Sequence, residues 1–168
     1  MDYSIQEFYQ HLAPDYHFIF KDWEASVRRQ GDVLDKLIRA ERDGADTVLD
    51  CACGIGTQAI GLALHGYNVR ATDLSPAAVR RARTEARNFG VKIFFGDADF
   101  RDLARQVDGT FDVVLACDNS IAHLLTDADL TLATASMREK LADDGLLILS
   151  IRDYDQVAQE KPHTQPPN

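Results

Sequence analysis

The sequence is short of basic residues. Its 18 lysines and arginines stand against 27 aspartates and glutamates, which gives a formal net charge of −9 at pH 7. Proteins that bind nucleic acid depend on clustered basic side chains, and the one short basic run is Arg80, Arg81 and Arg83. We therefore expect no nucleic-acid partner. The sequence also has no apolar run near the roughly 20 residues that a membrane-spanning helix needs, so no membrane association is expected.

Cysteine is scarce as well, with Cys51, Cys53 and Cys117 as the three thiols. Each lies in an apolar, strand-like run, and an odd number does not suit a disulfide framework. Alternate strand residues face opposite sides of a sheet, and no second ligand pair follows, so Cys51 and Cys53 do not predict a metal site. The first residues lack the basic start and apolar run of a signal peptide. We expect a metal-free, soluble protein of the reducing cytoplasm.

What the sequence does contain is the composition of an ordinary globular domain. Its 168 residues are 45% hydrophobic and 27% charged, which is enough for one domain with its own core. Two helices are predicted in the first forty-odd residues. The first follows the capping-box spacing of Ser4 and Glu7 and ends at Pro14, and the second begins at Asp22.

Strands and helices then alternate. Five apolar strands are predicted, at residues 47–53, 68–73, 91–96, 111–117 and 145–151. Helices are predicted at residues 57–64 and 76–88, and a third, with Leu141 on its apolar face, is expected to end at residues 143–145. Continuous apolar strands that alternate with helices indicate a parallel sheet covered on both faces. The predicted fold is a doubly wound, Rossmann-like α/β domain with an N-terminal helical extension.

A glycine turn follows the first predicted strand. Gly54 and Gly56 lie between that strand and a helix, where backbone N–H groups can face a ligand. With Asp73 at the end of the next strand, the turn fits a relaxed dinucleotide fingerprint, which leaves a nicotinamide dehydrogenase open. However, Asp50, Asp73 and Asp99 offer carboxylates rather than bases, which suits a cationic cofactor better than a diphosphate. The acids favour S-adenosylmethionine.

Residues 48–56, VLDCACGIG, resemble the first motif of the class I S-adenosylmethionine-dependent methyltransferases, with Ala52 where that motif usually has glycine. The resemblance implies that Ala52, Gly54 and Gly56 border the methionine moiety. It also implies that Asp73, which precedes Leu74, binds both ribose hydroxyls.

Residues 98–100 resemble the adenine-binding loop of the same family. The resemblance implies that Ala98 borders the adenine, that Asp99 accepts from its exocyclic amine and that Phe100 lies beside its ring.

The last third of the sequence resembles a narrower group, the glycine and sarcosine N-methyltransferases. Residues 119–124, NSIAHL, are similar to the group's Gly-Asn-Ser-x-x-His-Leu segment, with Asp118 in place of the glycine. The group holds the substrate carboxylate with an arginine at the end of strand five, and residues 16–23 and 29–30 resemble its cofactor lid. The predicted catalytic residues are Asn119, His123 and Arg152. The predicted cofactor-binding residues are Trp23, Arg29, Asp50, Ala52, Gly54, Gly56, Asp73, Leu74, Ala98, Asp99, Phe100, Cys117 and Ser120.

Structural roles are open for several of these residues. The two acids Asp50 and Asp73 could cap backbone N–H groups at a turn or helix start, as could Asn119 and Ser120. Arg152 could be a surface ion-pair residue. Trp23 could simply pack between helices, Asp97 could be a solvated loop acid, and His123 suits a packed pocket residue better than a general base.

These observations predict an enzyme that methylates a small, carboxylate-bearing amine with S-adenosylmethionine. Residues 1–46 would form a helical lid, 47–152 the cofactor-binding core, and 153–168 an extended, proline-rich tail of the same domain. Because the resembling enzymes continue past Asn168, the later strands of their seven-stranded sheet are missing. A cofactor-binding module without turnover, or a methyltransferase with a different acceptor, is the alternative. An open sheet edge also leaves a homo-oligomer open.

Overall fold

A computed structural model of the protein describes residues 4–160. Five strands form its sheet: β1 (Thr47–Asp50), β2 (Asn68–Asp73), β3 (Phe94–Asp97), β4 (Phe111–Ala116) and β5 (Leu141–Leu149). The helices are α1 (Ile5–Leu12), α2 (Trp23–Glu41), α3 (Thr57–Leu64), α4 (Pro76–Asn88), α5 (Leu103–Gln106), α6 (Asp127–Arg138) and α7 (Tyr154–Glu160). Two 3₁₀ turns, Tyr16–Ile19 and Ser120–His123, follow α1 and β4.

The five strands lie in the order β3-β2-β1-β4-β5, and every neighbouring pair is parallel. The chain leaves β1 towards β2 and β3 and later returns to the other side of β1 with β4. Strand order therefore reverses between β1 and β4, and ligands of open α/β sheets bind at the carboxyl ends of strands around such a point. The predicted doubly wound fold is confirmed.

The core follows from the alternation of side chains along the central strands. Val48 of β1 packs in one buried cluster with Leu34 and Ile38 of α2, whereas Leu49 packs in another with Met137 of α6. Successive strand residues face opposite sides of a sheet, so β1 is buried on both faces. This double burial explains the uninterrupted apolar character of the strand in the sequence.

Helix α2, the second helix of the N-terminal segment, lies unusually close to α3 at a pair of glycines. A Cβ atom added to Gly31 would lie 2.8 Å from backbone atoms of Gly61, and one added to Gly61 would lie 2.6 Å from the carbonyl oxygen of Val27. The absence of side chains lets the two helix backbones approach. This contact holds α2, and the residues it carries, against the middle of α3.

The boundary between α6 and β5 differs from the prediction. The helix ends at Arg138, and Leu141 begins β5 instead of closing the helix. The pairing of β4 with β5 is irregular here, because Phe111 pairs with Leu141 but Val113 pairs with Leu146. The extra β5 residues include the Asp-Asp-Gly segment at 143–145, whose local signal predicted a helix end. Sheet pairing overrides that local signal.

The tail and β3 also differ from the prediction. Residues 154–160 form α7 where an extended tail was predicted, with the Asp153 carboxylate accepting from the Gln156 N–H at 2.9 Å. Residues 161–168, the rest of the predicted tail, lie outside the described residues. The third strand begins at Phe94 rather than residue 91. Across residues 4–160, no helix combines the length and apolar character needed to cross a membrane.

Candidate functional site

The main cavity lies at the carboxyl ends of β1, β2 and β4, where strand order reverses. Its volume is about 640 Å³, within the range of small-molecule sites. The residues from the sheet side that line it include Ala52, Gly54, Asp73, Leu74, Asp99, Phe100, Cys117, Ser120 and His123. Nine of the predicted site residues are therefore brought together in one cavity.

The glycine turn in this cavity is held by Asp73. Gly54 and Gly56 have φ angles of +52° and +97°, a region that glycine enters without steric cost. One carboxylate oxygen of Asp73 accepts from the Gly54 N–H at 2.8 Å, and the other accepts from the Ser75 N–H at 2.8 Å. The N-cap of α4 is Ser75, whose hydroxyl accepts from Ala78. Asp73 therefore ties β2 to the turn rather than capping the helix.

Asp50 lies beneath the same turn and is fully buried. Its Oδ1 accepts from the Ala52 N–H at 3.3 Å, and its Oδ2 has no hydrogen-bond partner in the structure. Burial, together with the charges of Asp73 and Asp118, raises the pKa of Asp50 to about 8. Burial likewise raises the pKa of Asp73, although its two backbone hydrogen bonds oppose the shift. A cationic ligand would lower both pKa values and so favour the ionised forms of these acids.

Asp99 reaches the cavity but already has a strong partner. The Arg101 guanidinium donates to both carboxylate oxygens of Asp99. Its two hydrogen bonds to Oδ2 are 3.0 and 2.6 Å long, and it also donates to Asp129 at 2.9 Å. Burial tends to raise the pKa of Asp99, but the Arg101 hydrogen bonds outweigh it and the pKa is lowered. The contact of Asp99 with an adenine amine stays a prediction, and it requires Arg101 to give up part of this pairing.

The N-terminal segment covers the cavity from the other side. Tyr9 of α1 hydrogen-bonds through its hydroxyl to Nε2 of His123 at 2.7 Å, and both residues line the cavity together with Tyr16. Burial raises the pKa of both tyrosines, so they are neutral at physiological pH. The capping box of Ser4 and Glu7, which the sequence predicts, is present at the start of α1.

A second, smaller cavity adjoins the first, with a volume of about 440 Å³. It is lined by Arg29, Gln30, Val33, Leu34, Gln58, Cys117, Asp118, Asn119, Ser150, Ile151 and Arg152. Asn119 Oδ1 accepts from the Arg152 N–H at 2.6 Å, which joins the loop after β4 to the loop after β5. The predicted catalytic residues Asn119 and Arg152 therefore lie together here, whereas His123 lines the main cavity.

Five predicted cofactor-binding residues do not line the main cavity. Gly56 and Asp50 support it from the turn and from below, and Ala98 is buried with its N–H donating to the Asp73 carbonyl. Arg29 lines the smaller cavity. Trp23 is buried, and its Nε1–H donates to the Thr57 hydroxyl at 3.0 Å, so it packs against the start of α3 as the structural alternative predicts.

The site residues that sequence reasoning missed include Tyr9, Gln58 and Arg101. Tyr9 reaches the site only through the tertiary position of α1, which carries no local signal. Gln58 is the second residue of α3 and Arg101 directly follows the predicted adenine loop, so their positions beside two recognised motifs were the available signal. Within the described residues, no three histidine, cysteine, aspartate or glutamate side chains are grouped to hold a metal ion.

A family model described as a methyltransferase domain matches residues 48–145. The chain belongs to this family. The matched residues run from β1 into β5 and include both predicted cofactor motifs, so the family resemblance drawn from the sequence is confirmed.

Two curated relatives show how far the similarity extends. The chain is 36% identical to a glycine/sarcosine N-methyltransferase of Parasynechococcus marenigrum, over 82% of this chain and 48% of that protein. It is 35% identical to a ubiquinone biosynthesis O-methyltransferase of Xanthomonas euvesicatoria, over 67% of this chain and 45% of that protein. The chain thus spans about half the length of these relatives.

A solved structure extends the comparison to three dimensions. The chain superposes on an amino pentose methyltransferase of Micromonospora echinaspora, solved with S-adenosylmethionine bound, with a TM-score of 0.67 and 25% identity. The superposition covers 89% of this chain and 58% of that one. Relatives with different acceptors therefore share this fold.

Proposed function

We propose that the chain binds S-adenosylmethionine in the main cavity and transfers its methyl group to a small, carboxylate-bearing amine. The observation that carries the proposal is the acid-anchored glycine turn at the point where strand order reverses. Asp73 holds Gly54 there through a 2.8 Å hydrogen bond, on the wall of a cavity of about 640 Å³. Ligands of doubly wound sheets bind at this position.

The side chains of the cavity fit this cofactor. Asp73, Asp99 and Asp129 line the main cavity and not the smaller one, and carboxylates suit a ligand with a sulfonium, an ammonium and ribose hydroxyls. When bound, the cofactor supplies a methyl group on a positively charged sulfur. The raised pKa of the buried Asp50 means that a cationic neighbour would favour its ionised form, whereas an anionic neighbour would raise its pKa further.

The same residues argue against the dehydrogenase alternative. A dinucleotide brings a diphosphate, for which a site offers basic side chains or unengaged backbone N–H groups. Arg101 is the one arginine or lysine among the described residues that line the main cavity, and it is already paired with Asp99 and Asp129. The Gly54 N–H is likewise taken by Asp73.

The roles of the chain's own residues are to bind, align and exclude water. Arg152 would attract the acceptor carboxylate to the smaller cavity, and Asn119, bonded to the Arg152 backbone, would keep the two loops in register. Tyr9 and Tyr16 would close the main cavity against solvent. Alignment and exclusion of water account for much of the rate of such a displacement, which needs little acid–base chemistry.

An activity assay tests the proposal. The chain is incubated with S-adenosylmethionine and, separately, with glycine, sarcosine and dimethylglycine, and the demethylated cofactor and the methylated amine are both quantified. We expect methylation of at least one amine, and loss of that methylation in Asp73→Ala. Methylation of none of them, by a chain that binds the cofactor, would contradict the proposed acceptor class.

A second candidate function is a cofactor-binding module without turnover. The chain spans about half the length of these curated relatives, so their turnover is itself a proposal for this chain. Calorimetry would then give a dissociation constant for S-adenosylmethionine while the assay gives no methylated product. Measurable turnover by these 168 residues excludes this candidate.

A further inference from the structure

The two cavities meet at a small set of shared residues. Gln58, Cys117 and Asp118 are the described residues that line both of them. If the main cavity holds the methyl donor and the smaller one holds the acceptor, the methyl group must cross at this junction. The residues of the junction are therefore placed to contact the reacting nitrogen.

Asp118 is the one charged residue of the three, and its backbone is unusual. It has a φ of +53° and is followed by Asn119 at +67°. Residues other than glycine are uncommon in this left-handed region, although aspartate and asparagine enter it more readily than most. The Asp118 N–H donates to the Ser150 hydroxyl at 3.0 Å, so the residue directly after β5 helps to hold Asp118 in this conformation.

The Asp118 carboxylate is oriented by one of its oxygens. Its Oδ2 accepts from the Gln58 side-chain amide at 2.8 Å, and the same amide donates to Gln30 at 2.6 Å. Gln58 is buried, so its position is fixed by the packing of α3. Within residues 4–160, Asp118 forms no ion pair and its Oδ1 accepts no hydrogen bond, although Arg29 and Arg152 line the same cavity.

We propose that Asp118 is a specificity-determining residue that accepts a hydrogen bond from the acceptor nitrogen at the junction of the two cavities. The inference rests on the proposed function. It selects acceptors whose nitrogen carries hydrogen and whose carboxylate lies towards Arg152, at the other side of the smaller cavity.

The charge movement of the reaction suits a carboxylate at this point. The acceptor enters as an ammonium ion and releases one proton to solvent. Its nitrogen lone pair then forms the new N–C bond while the S–C bond breaks and leaves its electron pair on sulfur. The positive charge thus moves from sulfur to nitrogen, and a fixed carboxylate beside the nitrogen stabilises the charge that develops there.

Asp118→Asn and Asp118→Gly test the inference without a threat to folding, because both residues tolerate a positive φ. Calorimetry, with the cofactor site saturated by S-adenosylhomocysteine, measures the binding of glycine and of acetate, which lacks the amine. We expect both variants to weaken glycine binding by about tenfold, the effect of one charge-assisted hydrogen bond, and to leave acetate binding unchanged. Asp108→Asn is the matched control, because it removes one charge shortly before the first residue of β4, at the other end of that strand. It should alter neither the binding of glycine nor the binding of acetate.

Other outcomes would overturn the inference. If glycine and acetate respond equally to both variants, Asp118 only orders the loop. If the parent chain binds neither probe, the smaller cavity is not an amine site. The experiment measures binding and not turnover, so it can separate the two proposals. A parent chain that binds glycine more tightly than acetate but methylates nothing would contradict the proposed function and still support the role of Asp118.

Discussion

The carboxyl edge of the sheet has two halves that are held together differently. In the cofactor half, Asp73 is fixed by hydrogen bonds from the backbone N–H groups of Gly54 and Ser75. In the half proposed for the acceptor, after β4 and β5, the Asp118 carboxylate is instead fixed by another side chain, the amide of Gln58. Backbone contacts persist through most substitutions, whereas side-chain contacts change with each one. The comparison suggests a stable cofactor site beside an acceptor site that single substitutions can alter.

The pH dependence of the free energy of unfolding, which Asp50 influences, gives the sharpest test of the cofactor half. The pKa of Asp50 in the folded chain is raised to about 8, from an ordinary 3.8, chiefly by burial. A raised folded-state pKa stabilises the chain while the acid is protonated, and this contribution is lost as the pH rises towards that value. The free energy of unfolding of the ligand-free chain should therefore fall between about pH 4 and pH 8.

Urea titrations at several pH values measure this dependence. Asp50→Asn should reduce it because the amide does not ionise, and the contribution of Asp73, whose pKa is also raised, should remain. The paired acids Asp99 and Asp112 have lowered pKa values, so their contribution changes only at more acidic pH. A parent chain that gains stability over the same interval would show that Asp50 is ionised in the fold.

Asp73→Ala removes the side chain that anchors the glycine turn in the cofactor half. The change removes a carboxylate that could accept charge-assisted hydrogen bonds from the ribose, each worth roughly 1.5–3 kcal/mol. The affinity for S-adenosylmethionine, measured by calorimetry, should fall by at least about tenfold. Asp97→Asn provides a control, because Asp97 pairs in register with Asp73 but does not line the main cavity. Similar losses in both variants would mean that net charge, rather than contact, governs binding.

Gly31→Ala tests the contact between α2 and α3 at a residue that lines neither cavity. The new Cβ would lie 2.8 Å from the Gly61 backbone, and such overpacking typically costs about 1–3 kcal/mol. We expect the free energy of unfolding to fall by this amount in urea titrations. Lys36→Ala, at an exposed position of the same helix, should change it little. Equal stability of Gly31→Ala and the parent would show that the helices can move apart at no cost.

Tyr9→Phe is expected to have the smallest effect. It removes the 2.7 Å hydrogen bond to His123 that joins α1 to the loop after β4, and such bonds contribute about 0.5–1.5 kcal/mol. Thermal and urea unfolding should show a loss of this size with the fold retained. A much larger loss would indicate that the whole N-terminal segment depends on this contact.

The sequence predicted the cofactor half closely, because its signals are local. The bounds of β2, α3 and α4 agree with the glycine turn, the Ser75 cap and Pro76. The acceptor half was harder. The end of α6 and the start of β5 are decided by pairing between Phe111 and Leu141, a contact between residues that are distant in sequence.

The residues of the site divide in the same way. Glycines and acids at strand ends could be identified from spacing, whereas Tyr9, brought in by a separate helix, could not. Trp23 and Arg29 were predicted from the lid motif, but Trp23 is bonded to Thr57 at the start of α3 and Arg29 lines the smaller cavity.

The most direct test of the two-halved site is the affinity for S-adenosylmethionine of three chains: the parent, Asp73→Asn and Asp118→Asn. The Asp73 carboxylate accepts one hydrogen bond from the Gly54 N–H and one from the Ser75 N–H. In Asp73→Asn, the side-chain NH2 group must face one of these two N–H donors. We predict that this variant binds the cofactor about tenfold more weakly, whereas Asp118→Asn stays within about threefold of the parent. Parent-like binding by Asp73→Asn, or an equal loss in both variants, would contradict the account.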